Sequence, residues 1–70
     1  MDMNILTDRL RTERLRHDWG QATLAAKAGT FQWHLSLIER GKRPRIEAET
    51  LFKLATALGV SAEWLAGEEG

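Results

Sequence analysis

Apolar residues recur along this chain at the three- and four-residue intervals of amphipathic helices, and the breaks between these runs divide it into five. The first helix is predicted from about Ile5 to His17, with Leu6 and Leu10 as its apolar positions, Leu15 as a further candidate, and Trp19 closing its end. The second runs from about Gln21 to Ala28 behind Gly20, a weaker N-cap than Ser, Thr or Asn. The third runs from about Phe31 or Gln32 to Arg40 and stops at Gly41. A charged loop follows from Lys42 to Arg45, holding the only proline, Pro44. The fourth helix covers about Glu47 to Leu58 on Leu51, Leu54, Ala55 and Leu58, and ends at Gly59. Ser61 then caps a short fifth helix that carries Trp64 and Leu65. The predicted core is Leu10, Trp19, Leu24, Ala25, Ala28, Leu35, Ile38, Leu51, Leu54, Leu58, Val60, Trp64 and Leu65.

The segment from Gln21 to Arg43, QATLAAKAGTFQWHLSLIERGKR, has a more specific spacing. Leu24 and Ala28 fall on one helical face, Ala25 is small enough to admit a crossing helix, and Gly29 supplies the backbone of a tight turn. Leu35 and Ile38 then open a second apolar face. Two short helices that cross steeply need a small residue at the contact, a permissive residue at the turn and apolar anchors on both sides, so the segment reads as a helix-turn-helix.

The pattern QxxLAxxxG followed by LxLIERGK resembles the Cro/C1-type (XRE) family of bacterial and phage DNA-binding regulators. The resemblance covers almost the whole chain. RLRTERLRHDWGQ resembles the first helix of such domains and its link to the second, and ETLFKLATALGVSAEWLAG resembles their closing helices, with an ending close to that of lambdoid phage repressors. It implies an all-α fold, a compact five-helix bundle of the lambda-repressor-like DNA-binding type. Thr30 departs from the pattern, because an aliphatic residue is usual there.

Length and composition set independent bounds. Seventy residues make one small domain, 1–70 with its core at about 5–66, which buries only ~60% of its extended surface. Many relatives continue beyond the last helix into a domain for dimerisation, ligand sensing or self-cleavage, so this domain can be the N-terminal part of a longer regulator. With no Cys there is neither a disulfide framework nor a thiolate metal site. The N-terminus MDMNILTDRL lacks a basic region and a long apolar run, so a cytoplasmic protein without signal peptide or membrane span is expected. His17 and His34 are isolated and are read as surface residues, and no Ser has a sequence-evident base. No enzyme activity, metal or cofactor is expected.

Net charge is zero, yet its distribution is polar. Residues 1–45 hold nine basic side chains against five acidic ones, whereas residues 46–70 hold one basic against five acidic. A chain so divided can turn a basic face to phosphate and remain soluble.

By resemblance, Gln32, Trp33, Ser36 and Leu37 occupy the positions that face bases, while Leu35 and Ile38 face the core. The amide of Gln32 suits adenine, which offers an acceptor and a donor together in the major groove. Trp33 and Leu37 replace the polar residues more usual there and would read thymine methyl groups or sugars by apolar contact. Gln21, Phe31, Arg40, Lys42, Arg43 and Arg45 fall at positions for phosphate contact, with Phe31 standing where Ser or Thr usually caps the helix. Arg14 and Glu39 match a buried pair that ties the first helix to the end of the third in some relatives. The implied partner is a double-stranded DNA operator with two half-sites, bound by a homodimer as a repressor. An exposed Phe31, Trp33 and Leu37 would form an apolar patch, and the alternative is a protein partner docked on it, as in an antitoxin-type interaction module.

Overall fold

A computed structural model describes residues 1–42 and 45–68. Five helices follow one another among them: α1 (Met3–Arg16), α2 (Gln21–Ala28), α3 (Gln32–Glu39), α4 (Ala48–Leu58) and α5 (Ala62–Leu65). The protein is all-helical, as its apolar spacing predicts.

α1 starts two residues ahead of the predicted Ile5, because Asp2 caps it. One carboxylate oxygen of Asp2 accepts from the backbone N–H of Asn4 at 2.9 Å and of Ile5 at 3.1 Å, satisfying donors that a helix start leaves unpaired. Ser61 caps α5 in the same way, accepting from the N–H of Trp64 at 3.0 Å. α2 and α4 share a C-terminal closure. Gly29 and Gly59 adopt φ of +71° and +74°, which turns the next N–H back so that Thr30 bonds to the carbonyl of Ala25 and Val60 to that of Ala55. Any other residue would hold this left-handed backbone at a cost of about 1 kcal/mol.

α2 packs against α3 and α4, α1 against α3 and α5, and α4 against α5. Their shared core is Leu6, Leu10, Leu24, Ala25, Ala28, Leu35, Ile38, Ile46, Leu51, Leu54, Ala55, Leu58, Ala62, Leu65 and Ala66. Three predicted core residues differ: Trp19, Val60 and Trp64 are half-buried and close the rim of the core rather than filling it. The two indoles each carry a cation over the ring, with Lys27 4.9 Å from the centroid of Trp19 and Arg9 4.5 Å from that of Trp64. Leu15 is exposed. The buried stripe of α1 runs through Leu6, Leu10 and Arg14 at four-residue steps, and Leu15 lies about 100° around the helix from it. Ile46 enters the core from the loop, where no periodicity marks it.

Candidate nucleic-acid interface

Apolar anchoring fixes which side of α3 faces outward. Leu35 and Ile38 are buried on one side, which leaves Gln32 and Trp33 exposed at the N-terminal end and Ser36 and Leu37 half-buried along the outer side. Phe31 precedes them, 66% exposed, with Trp33 61% exposed. Neither α2 nor α3 has a side-chain cap, so the positive N-terminal ends of both helices lack a protein acceptor of that kind. Gly41 carries the chain out of α3 with φ of +69°, and Lys42 bonds back to the carbonyl of Leu37 at 3.0 Å. Arg40, Lys42 and Arg45 are exposed at and beyond this end, while Arg43 lies outside the described residues.

The orientation of α3 is set by a buried ionic contact. Arg14 of α1 donates from Nε to Glu39 at 2.7 Å and from Nη2 at 2.8 Å, a bidentate pair whose side chains are 10% and 4% exposed. A third Arg14 donor reaches the carbonyl of Trp19 at 2.8 Å, which also anchors the segment leading into α2. The hydrogen bond to Glu39 raises the pKa of Arg14, with burial opposing it and the opposite charge of Glu39 adding to it. Gln21, at the first position of α2, donates its amide to Glu39 at 3.3 Å. One carboxylate thus collects donors from α1 and α2 at the end of α3.

These features match known proteins over most of the chain. Residues 10–65 fit the model of the helix-turn-helix family. The chain belongs to that family, in its Cro/C1-type branch. The structure of a hypothetical transcription factor, NHTF from Neisseria, is 30% identical, with a TM-score of 0.83 over 94% of this chain and 79% of that one. The P22 c2 repressor, solved in complex with synthetic operator 9T in the presence of Tl+, is 26% identical, with a TM-score of 0.82 over 91% of this chain and 96% of that one.

Within this helix-turn-helix domain, Gln32, Trp33, Ser36 and Leu37 share the outer side of α3, and Arg14, Glu39 and Gln21 come together beneath it. Two details were not legible beforehand. His34 is half-buried rather than a surface residue: its Nδ1 lies 3.3 Å from the hydroxyl of Thr30 and its Nε2 is buried without a hydrogen-bond partner. This contact gives a role to Thr30, the residue that departs from the family pattern. His17 is exposed but engaged, stacked 4.2 Å from Trp19 and 3.2 Å from the carbonyl of Leu58 through Nε2. Among the described residues no cluster of three or more His, Cys, Asp or Glu could hold a metal ion, and no helix is long and apolar enough to cross a membrane.

Proposed function

We propose that this domain is a cytoplasmic transcriptional regulator of the repressor type, which binds double-stranded DNA site-specifically with α3 in the major groove. The observation that carries the reading is the division of α3: Leu35 and Ile38 are held in the core while Gln32 and Trp33 are exposed at its N-terminal end. Gln32, Trp33, Ser36 and Leu37 read base edges. Gln21, Arg40, Lys42, Arg43 and Arg45 contact phosphates and set the register of α3 in the groove. The likeness to a repressor solved on a synthetic operator supports the same mode of docking. A homodimer would meet two half-sites about one helical turn apart.

Selection of bound duplexes from a random-sequence pool tests the proposal. The expected outcome is one enriched motif with two-fold symmetry, bound more weakly as salt rises. Failure of any sequence to enrich would overturn it.

A further inference from the structure

α1 and α5 meet along an open groove with a volume of about 550 Å3. Asp8, Arg9, Thr12, Glu13 and Arg16 of α1 form one wall, and Val60, from the turn into α5, and Trp64 of α5 form the other. None of these residues belongs to α3. Val60 and Trp64 are only half-buried, so a strip of the apolar rim of the core is open to whatever fills the groove.

The charges along the groove are balanced. Asp8, Thr12 and Arg16 follow one another at four-residue steps on α1, and Arg9 and Glu13 form the neighbouring row, so each row carries one charge of each sign. Arg9 holds its guanidinium 4.5 Å from the centroid of the Trp64 ring and donates from Nη1 to the Trp64 carbonyl, which places a cation against the apolar wall. Glu13 is held as firmly. Its side chain is 9% exposed, and Arg16 reaches it from solvent at 3.1 Å with a side chain that is 73% exposed.

This arrangement discriminates by charge. A phosphate would meet Asp8 and Glu13, and a polyamine would meet Arg9 and Arg16, whereas a molecule with one charge of each sign close together can be turned to satisfy both pairs. The strip of Val60 and Trp64 calls in addition for an apolar group. A free α-amino acid with an apolar or aromatic side chain has all three features, and the groove lies within the size range of sites for small molecules.

We propose that the groove between α1 and α5 binds a free amino acid with an apolar side chain, its ammonium group beside Glu13, its carboxylate beside Arg9 and its side chain against Val60 and Trp64. The inference goes beyond DNA binding by α3, and neither reading depends on the other.

Heteronuclear NMR titration of the 70-residue protein with L-phenylalanine tests it. The signals of Thr12, Val60 and the Trp64 indole should shift together and saturate, with a dissociation constant in the millimolar range that suits a ligand of about a dozen heavy atoms at an open site. 3-Phenylpropionate lacks only the ammonium group and phenethylamine only the carboxylate, so each should bind about tenfold more weakly through loss of one charge-assisted contact. Glu13→Gln keeps the shape of the side chain and, with its fold checked by circular dichroism, should bring L-phenylalanine down to the affinity of 3-phenylpropionate. Should that variant not fold, the three ligands on the wild-type protein decide alone. No saturable shift at Thr12, Val60 or Trp64, or equal binding of the three ligands, overturns the site. A folded Glu13→Gln variant that keeps the full preference for L-phenylalanine overturns the place given to the ammonium group.

Discussion

Arg14→Met removes one partner of the buried pair and leaves the Glu39 carboxylate enclosed, with only the longer 3.3 Å contact from Gln21 among the three side-chain donors now facing it. Breaking a buried pair in this way costs about 3 to 5 kcal/mol, because the remaining charge has lost its compensation and is still out of water. A 70-residue domain has about 4 to 10 kcal/mol of stability in all, so the loss is a large fraction of the total. Urea denaturation reads it directly. With a slope of about 1 kcal/mol per molar, suited to a domain this small, the midpoint should fall by about 3 M or more, and the weakest preparations should be partly unfolded without denaturant.

The second arm is Arg14→Met/Glu39→Leu. Replacing both charges by apolar groups leaves no orphan, so the double variant should lose far less than the sum of the two single variants. The control is Lys53→Met, which breaks an ion pair with Glu49 whose side chains are 47% and 80% exposed, and it should cost no more than about 0.5 kcal/mol. Since the pKa of Arg14 is raised on folding, its contribution is fully present below the arginine range and is lost only as pH rises through the folded value. The Arg14→Met deficit should accordingly be the same at pH 6 and pH 9. An Arg14→Met midpoint equal to that of Lys53→Met, or a double variant that loses the full sum, would refute the reasoning.

Replacing Lys42 or Arg45 by Ala should weaken binding to all duplexes alike and reduce the slope of log K against log salt by about 0.9 each, measured by titration at several salt concentrations. Gln32→Ala should cost about 1 to 3 kcal/mol on the selected site and leave mixed-sequence affinity nearly unchanged, because the lost hydrogen bonds carry base information. Ser61→Ala should lower stability by about 1 kcal/mol through loss of the α5 cap, with DNA affinity of the folded protein unaltered.

What could be read from the chain beforehand depended on whether the cause was local. The bounds of α2 follow from its glycines and agree with the structure, since Gly29 turns left-handed where a helix end needs it. The seating of Leu24, Leu35, Ile38, Leu54 and Leu58 follows from periodicity alone. Ile46 and Ala66 were missed because each enters the core from beyond a helix end, and three- and four-residue spacing says nothing of such positions. The Asp2 cap was available as a sequence signal, an Asp directly before an apolar-periodic run, and reading it would have placed the start of α1 correctly. Nothing local announced that the Gln21 amide would turn toward Glu39, or that Thr30 would meet His34. Those contacts exist only once α2 and α3 have crossed.

The crossing also explains how a domain with so small a core can hold α3 rigidly. α3 is two turns long and begins at Phe31 without a side-chain cap, so by itself it would be marginal in water. Leu35 and Ile38 hold it against the core, and Glu39 locks its far end to α1 and α2. The near end is steadied by the Thr30–His34 contact. Side chains that fix α3 and side chains offered to a partner therefore occupy different sides of the same helix. On the proposed reading, Trp33 and Leu37 can vary with the sequence to be read while Leu35, Ile38 and Glu39 keep the helix in place. Gln21 is the one proposed contact residue that shares in both tasks, because its amide is already committed to Glu39 and its place at the start of α2 is held by that bond. Its proposed part in DNA binding is thus coupled to the ion pair, whereas the part proposed for Gln32 is not.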